Sequence, residues 1–321
     1  MKKIIIIFLA VFVFVFSGVL FAYFSVKTGE FTGYKFSETD EFSINSLIDF
    51  KVKGETVKIL QISDLHFALL FGKLNNKNYA FLDKVLDEEK PDLVVVTGDL
   101  NIALFNGVVL KRFGEYMDQR KVYWAYALGN HDCQFGYGEY RYISKLFDYE
   151  YCLFKVGPTN LGTYLNYFIQ VKNSSGKVMS TLSILNNGNS IISDNLKSWY
   201  GWNIENLNSY YGRKVENLMF VHIPFEVMHK YTNLANEKVS IMDNDNDITS
   251  LIEELNTTHY IFSGHDHLNS FEVSHNGVNY YSTPSFGFCG YGKSNIERGL
   301  RVITISNTIN VELKTQSDYG F

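Results

Sequence analysis

Five short groups of metal-binding side chains occur along the chain, and each follows an apolar stretch with the composition of a buried strand. In chain order these groups are Asp64-Leu65-His66, Gly98-Asp99, Gly129-Asn130-His131-Asp132, Val221-His222-Ile223 and Gly264-His265-Asp266-His267. They contain five of the eight histidines. Imidazole nitrogens, carboxylates and an amide oxygen suit divalent transition-metal ions such as Mn, Fe, Zn or Co, so the groups indicate a metal centre.

This ligand set is large enough for two ions. One carboxylate can bridge two ions that lie about 3.5–4 Å apart, and a water between them forms hydroxide near neutral pH. The glycines before Asp99, Asn130 and His265 permit tight turns that bring the backbone close to the ions. An isolated Asp-x-His or Gly-Asp is more often a turn or a cap, so the prediction depends on finding all five groups in one chain.

The groups can meet only if a sheet brings them to one edge. The strands expected before them cover Val57–Ile62, Leu93–Val96, Val122–Leu128, Val215–Val221 and His259–Phe262. Helices are expected over Asn78–Glu89, Val108–Arg120, Tyr140–Phe147, Glu205–Tyr211 and Ile248–Leu255. In open α/β sheets ligands collect at the carboxyl ends of the strands, which is where these groups would lie.

Further strands are expected in the middle and at the C-terminal end, and together the strands are too many for one flat sheet. The sequence therefore predicts an α/β fold with two packed, mixed β-sheets flanked by helices, a sandwich of four layers. We expect one catalytic domain over residues 55–321, a linker over residues 27–54 and a separate N-terminal segment over residues 1–26.

The N-terminal segment has the features of a membrane anchor. An uncharged run from Ile4 to Phe24 follows Lys2 and Lys3, and a spanning helix needs about 20 apolar residues. The two lysines favour a cytoplasmic N-terminus, which places the catalytic domain outside the cytoplasm. A signal peptide that is cleaved to release a secreted protein is the alternative, although no clear pair of small residues follows the run.

Charge and cysteine content narrow the function classes. The formal net charge is −5 and no basic stripe is present, so a nucleic-acid partner is not expected. The three cysteines form no short-spaced pairs, which argues against a disulfide framework or a zinc knot.

The ordered groups resemble the motifs of the calcineurin-like metallophosphoesterase superfamily, and the resemblance extends from about Val57 to Ile305. It implies that a first ion is bound by Asp64, His66 and His267 and a second by Asn130, His222 and His265. It further implies that Asp99 bridges the two ions. His131 would contact the phosphate and assist the leaving oxygen, and Asp132 would orient the ring of His131.

Within the superfamily, the chain is most similar to the small single-domain branch of purple-acid-phosphatase-like enzymes. The similarity lies in His222-Ile223-Pro224, Tyr200-Gly201-Trp202 and the glycine- and aromatic-rich segment from Phe286 to Gly292. A true purple acid phosphatase has a tyrosine ligand three positions after the bridging aspartate, where this chain has Ile102. The segment 286–292 is expected either to line the substrate pocket or to complete the core as a glycine-rich turn.

The resemblance implies a metal-dependent hydrolase of phosphate mono- or diesters in which a hydroxide that bridges two metal ions attacks the phosphorus atom. Two alternatives remain open at this point. The chain could be an inert metal-binding module with the same fold, or a nuclease or protein phosphatase that uses the same site. The intact set of motif residues argues against the inert module, and the lack of a basic groove argues against the nuclease.

Overall fold

The computed structural model describes residues 29–69, 71–102, 105–134, 137–188, 192–241 and 248–321, together with Ser17. Apart from Ser17, the expected membrane segment over residues 1–26 lies outside this described part. None of the helices in the described part is long and apolar enough to cross a membrane.

The described residues form two mixed sheets and the helices that cover them. The strands are β1 Ile48–Lys51, β2 Val57–Ile62, β3 Leu93–Thr97, β4 Trp124–Ala127, β5 Cys152–Leu153, β6 Tyr167–Lys172, β7 Val178–Ile184, β8 Asn217–Phe220, β9 Thr258–Ser263, β10 Glu272–His275, β11 Val278–Ser282, β12 Gly299–Ile305 and β13 Ile309–Thr315. The α-helices are α1 Gly72–Glu89, α2 Asn106–Arg120, α3 Glu139–Ser144, α4 Asp194–Tyr211 and α5 Thr249–Leu255. Short 3₁₀-helices cover Ile44–Ser46, Leu146–Asp148, Glu226–Leu234 and Gln316–Tyr319.

Each sheet has a parallel centre with antiparallel strands added to it. The first sheet has the order β1-β6-β7-β8-β9-β11-β10, with parallel pairing from β7 through β8 and β9 to β11. The second has the order β13-β12-β2-β3-β4-β5, with parallel pairing from β2 through β5. This arrangement confirms the predicted α/β fold with two mixed sheets.

Alternate residues of β6 enter different cores, which shows how the layers stack. Ile169 belongs to the core that also contains the apolar residues of β2, β3 and β4, between the two sheets. Phe168 faces the other way and packs on Trp199 of α4, with ring centroids 5.3 Å apart. On the far side of the second sheet, Phe113 of α2 packs on Trp124 of β4 at 5.2 Å. Helices therefore cover the outer faces of both sheets.

The segment 27–54 and the start of α4 are among the parts that differ from the sequence-based expectation. β1 lies inside the segment 27–54 that was expected to be a linker, and it pairs with β6 in parallel from Ile48 to Lys51. The last part of that segment therefore belongs to the first sheet. α4 begins at Asp194 instead of Glu205, because Ser193 caps its N-terminus by accepting a hydrogen bond from the amide of Leu196. Its mixed polar and aromatic first half gives only weak helical periodicity in the sequence.

The strands that precede the five ligand groups lie side by side within their sheets. β2, β3 and β4 are consecutive parallel neighbours in one sheet, and β8 and β9 are parallel neighbours in the other. Their carboxyl ends are Ile62, Thr97, Ala127, Phe220 and Ser263. Hydrogen bonds between the two sheets join these ends, including the Phe286 amide to the Ser63 carbonyl and the His265 amide to the Asp64 carboxylate. All five loops thus open onto one edge of the sandwich.

Candidate metal centre

Three of the predicted ligands, Asp64, His66 and His267, form what we call the first ligand group. Their donor atoms all lie within 4.8 Å of one another. Nε2 of His66 and Nε2 of His267 are 2.8 Å apart, and each lies 3.6–3.7 Å from Oδ1 of Asp64. All three side chains are buried. Two imidazole nitrogens and a carboxylate oxygen therefore face the same point.

The second ligand group consists of Asp99, His222 and His265, whose donor atoms also lie within 4.8 Å of one another. His265 Nδ1 is 3.2 Å from His222 Nε2, and Oδ1 of Asn130 is 3.0 Å from that same nitrogen. The structure thus brings the predicted amide ligand to this group as well.

Asp99 lies between the two groups. Its Oδ2 atom is 3.6 Å from Nε2 of His66 in the first group and 3.5 Å from Nε2 of His222 in the second. The carboxylate is buried, and its Oδ1 atom accepts a hydrogen bond from the amide of His131 at 2.8 Å. One carboxylate oxygen therefore reaches both ligand groups, as a bridging ligand must.

The backbone is in the left-handed region at four of the predicted ligands. The φ angles are +55° at Asp64, +48° at His66, +51° at Asp99 and +69° at His265. A non-glycine residue rarely adopts this conformation, although Asp and His do so more readily than most. Each strand therefore ends in a sharp turn that directs the side chain back toward the centre, and the surrounding structure must hold the strained backbone in place.

The chemistry of these donors fits a pair of divalent transition-metal ions. Oδ1 of Asp64 is buried and has no hydrogen-bond partner within the described part of the chain. Burial raises the pKa of the Asp64 carboxyl to about 7, so the buried charge is unfavourable unless a cation lies beside it. Burial also lowers the pKa of His66 and of His265 to about 3. These rings are therefore neutral at pH 7, the form that binds metals.

Backbone carbonyls fix the orientation of two of the imidazoles. Nδ1 of His222 is 2.8 Å from the carbonyl oxygen of Thr97, and Nδ1 of His267 is 3.0 Å from that of Tyr291. A carbonyl can only accept, so each Nδ1 carries a proton and each Nε2 faces the centre. Burial lowers the pKa of His222, but the Asp99 carboxylate beside it raises that pKa further, to about 10, so this ring would release its Nε2 proton when a metal ion binds. Outer contacts of this kind set both the tautomer and the ring orientation of metal-binding histidines.

Asn187 holds the His222 loop and was not identified from the sequence. Its Oδ1 accepts from the amides of His222 and Ile223 at 2.9 and 3.0 Å, and its Nδ2 donates to the carbonyl of Ile223 at 2.7 Å. The side chain is fully buried. The only signal in the sequence was the polar run Asn186-Asn187-Gly188 directly after a strand.

His131 differs from the other histidines of the centre in its exposure. About a third of its side chain is exposed (32%), and its Nε2 is 3.9 Å from Oδ2 of Asp99. Its Nδ1 is 2.9 Å from Oε1 of Gln134. The amide oxygen can only accept, so Gln134 fixes the ring of His131. This ring stands beside the ligand groups and is open to a substrate.

Asp132 does not contact the ring of His131, which corrects the expectation that it orients that ring. Its carboxylate instead accepts hydrogen bonds from the amides of Asp99, Leu100 and Gly129 at 3.1, 3.0 and 2.8 Å. Backbone amides at the ends of two neighbouring strands thus occupy both oxygens. Asp132 joins the β3 and β4 loops and supports Asp99, whereas Gln134 positions His131.

The segment 286–292 divides into two parts with different surroundings. Phe286 is buried and stacks on Phe81 of α1 with centroids 4.6 Å apart, and Phe288 also packs on this ring. Tyr291 stacks on the imidazole of His267 at 3.8 Å and is half exposed. The phenylalanines complete the core, and only the end of the segment adjoins the metal centre.

Gly290 allows that close approach. A Cβ atom at this position would lie 2.6 Å from Cε1 of His267 and 2.9 Å from Cδ2 of His66. Any side chain would therefore displace one of two predicted ligands. Arg298 secures the turn by donating to the carbonyls of Gly290 and Tyr291 at 3.2 and 3.0 Å.

Comparison with known proteins agrees with this geometry. The family model described as calcineurin-like phosphoesterase matches residues 57–269, a range that includes all five ligand groups. A curated relative from Arabidopsis thaliana, named probable inactive purple acid phosphatase 29, is 25% identical over 305 residues. The alignment covers 80% of this chain and 78% of the relative.

Two solved structures share the fold. One is a dimetal phosphatase from Danio rerio, with a TM-score of 0.56 and 10% identity, covering 81% of this chain and 96% of that protein. The other is a purple acid phosphatase from yellow lupin seeds, with a TM-score of 0.52 and 14% identity, covering 83% of this chain and 52% of that protein. At these identities the likeness is evidence for the fold alone.

Proposed function

The chain belongs to the calcineurin-like phosphoesterase family, and from that membership we propose that it hydrolyses phosphate esters with two divalent metal ions. The observation that carries the proposal is the position of Asp99, whose Oδ2 atom lies within 3.6 Å of a histidine from each ligand group. The complete set of predicted ligands at one sheet edge supports it further.

We assign the first ligand group to one ion and Asn130, His222 and His265 to the other, with Asp99 shared between them. Bound ions of this kind polarise a phosphate ester and lower the pKa of a water molecule. The protein contributes imidazole nitrogens, a shared carboxylate and a fixed backbone. Because the outer hydrogen bonds of His222 and His267 go to carbonyls, these rings need little reorientation to receive an ion.

His131 is the residue we assign to the leaving group. It lies next to Asp99, outside both ligand groups, and its ring is partly exposed. A proton held on Nε2 would face a bound ester and could pass to the leaving oxygen. Nδ1 donates to the amide oxygen of Gln134 at 2.9 Å, which orients the ring so that Nε2 faces the bound ester.

The experiment that tests the function combines metal analysis with a panel of esters. Protein purified without chelators should contain about two transition-metal ions per chain. It should hydrolyse p-nitrophenyl phosphate or bis-p-nitrophenyl phosphate, and the ratio of the two rates separates monoesterase from diesterase activity. Active protein with only trace metal would refute the two-metal assignment.

An inert metal-binding protein is the second candidate, since the names of curated relatives include the words "probable inactive". Those words describe the relatives. In this chain the predicted ligands converge and His131 remains next to Asp99, which favours the enzyme. A fully metal-loaded protein that hydrolyses none of a broad panel of mono- and diesters would support the inert candidate.

We also propose that the apolar run from Ile4 to Phe24 anchors the chain in a membrane with the catalytic domain outside the cytoplasm. Protease added to intact cells should then degrade a reporter fused to the C-terminus. A reporter that stays protected would contradict this orientation, and a reporter found in the medium would indicate cleavage and secretion.

A further inference from the structure

A small cavity of about 150 Å³ adjoins the metal centre beside the loop between β4 and α3. Two of its lining residues also contact residues of the centre. Asn130 reaches His222 at 3.0 Å, and Gln134 reaches the ring of His131 at 2.9 Å. The cavity therefore adjoins the metal centre through Asn130 and lies beside the ring of His131.

Glu139 is the charged residue that lines this cavity. Its Oε2 accepts from the amide of Tyr164 at 3.0 Å and its Oε1 from Nδ2 of Asn186 at 3.1 Å. Asn186 is itself fixed, because its Nδ2 also donates to the carbonyl of Tyr164 at 2.9 Å. An ionised carboxylate offers about four acceptor positions, so roughly two remain for a ligand.

Within the described part of the chain, no cationic side chain lies at ion-pair distance from the carboxylate of Glu139. Burial raises the pKa of its carboxyl, although the hydrogen bonds from Tyr164 and Asn186 oppose that effect. A partly buried anion with no cation beside it is unfavourable, and a cationic ligand would relieve the cost.

The size of the cavity limits the ligand. A water molecule takes up roughly 30 Å³ in the liquid, so the space suits a group of only a few heavy atoms. Gly188 closes one wall tightly, since a Cβ atom there would lie 2.9 Å from the carbonyl carbon of Gly129. A second phosphate group in this space would be repelled by the carboxylate of Glu139.

Resting on the proposed function, we propose that this cavity is the leaving-group subsite and that Glu139 selects esters whose alcohol carries an ammonium group. The substrate class is then the phosphate esters of small amino alcohols. The phosphate would lie at the two ligand groups, and the ammonium group would donate hydrogen bonds to the free acceptor positions of Glu139. Glu139 is thus a specificity-determining residue with no part in the chemical step.

Two phosphonates of nearly equal size test this proposal without any need for turnover. In 2-aminoethylphosphonate an ammonium group stands where propylphosphonate has a methyl group, and neither compound contains an ester bond. Calorimetry on the Mn²⁺-loaded full chain should show at least about tenfold tighter binding of the amino compound, a difference of about 1.4 kcal/mol. Equal affinities would overturn the proposal.

Glu139→Gln is the decisive variant, because it removes the charge and keeps the size of the side chain. The affinity ratio should fall to about one, while the Kd for propylphosphonate stays within about twofold of the wild-type value. Glu150→Gln, a change at an exposed glutamate, is the matched control and should keep the wild-type ratio. A ratio that survives in Glu139→Gln would show that another group selects the amine.

A third ligand keeps the proposal testable if Glu139→Gln does not fold. The wild-type chain should bind 2-hydroxyethylphosphonate less tightly than the amino compound, and equal or tighter binding of the hydroxyl compound would overturn the selection by charge. Hydrolysis of p-nitrophenyl phosphate is measured in parallel. If the chain binds 2-aminoethylphosphonate more tightly than propylphosphonate but hydrolyses no ester, the enzymatic function alone is refuted. If it hydrolyses p-nitrophenyl phosphate but binds the two phosphonates equally, the subsite alone is refuted.

Discussion

The carbonyl oxygen of Tyr291 lies 3.0 Å from Nδ1 of His267, and the ring of Tyr291 stacks on the same imidazole with centroids 3.8 Å apart. The hydroxyl of Tyr291 also donates to Oε1 of Glu237 at 3.0 Å. One residue thus contacts a predicted metal ligand through both its backbone and its side chain. Tyr291 is 54% exposed, so it can be changed without opening the core.

We predict that Tyr291→Ala weakens metal binding at the first ligand group by about tenfold, the low end of the usual effect of an outer contact. The ring that restricts the His267 imidazole is lost, while the carbonyl contact can remain. Tyr291→Phe keeps the stacking and should change the metal affinity much less. Metal titration followed by calorimetry measures both variants, and equal losses would assign the effect to the hydroxyl group.

Asp99→Asn should abolish stable binding of the metal pair while the domain still folds. Asparagine tolerates the left-handed backbone at this position and has nearly the same shape, but it lacks the shared negative charge. The wild-type chain should gain about 2.7 kcal/mol of stability per site when free metal exceeds its Kd a hundredfold. Thermal unfolding with and without metal measures this gain, which should largely disappear in Asp99→Asn. A full gain in the variant would show that Asp99 does not bridge.

His131→Ala should lower turnover of an alkyl phosphate by about 10² or more, the usual contribution of a general acid. The loss should be smaller for p-nitrophenyl phosphate, because its leaving group needs little protonation. Metal content should not change, since His131 belongs to neither ligand group. Wild-type turnover of the alkyl ester by the variant would remove His131 from the mechanism.

Asn187→Asp tests the support of the His222 loop. The aspartate can still accept from the amides of His222 and Ile223, but it cannot donate to the carbonyl of Ile223. A buried donor is lost and a charge faces a carbonyl oxygen, so the free energy of unfolding should fall by about 1–3 kcal/mol. Asn45→Asp, at an exposed position, is the control and should leave urea unfolding nearly unchanged. Similar losses in both variants would attribute the effect to net charge.

The strands next to the metal centre could be predicted because each is a dense apolar run. β2 was predicted with its observed bounds, and β3 and β9 within one residue at each end. The residues that follow them were recognised because carboxylates and histidines directly after buried strands are chemically unusual. Local sequence contained both signals, so no knowledge of long-range contacts was needed.

The outer contacts of the centre could not be predicted in this way. Asn187 lies 35 residues before His222, and Tyr291 lies 24 residues after His267. Asparagine and tyrosine are common in loops, so the residue type alone does not distinguish Asn187 or Tyr291 from other loop residues. The role expected for Asp132 was wrong for the same reason, since its partners Asp99 and Leu100 come from the neighbouring strand. β1 was missed because a strand of four residues has too little periodicity.

The left-handed backbone at Asp64, His66, Asp99 and His265 has a consequence for how this chain could change over generations. Such a conformation costs an ordinary residue roughly 1–2 kcal/mol relative to glycine. Glycine would relieve that cost, but at Asp64 and Asp99 it would also remove the carboxylates that accept from the amides of His265 and His131. A lineage released from the need to bind metal would therefore keep these two aspartates because the fold also uses them. Libraries that screen for stability alone should lose the metal pair through His66 and His265 first.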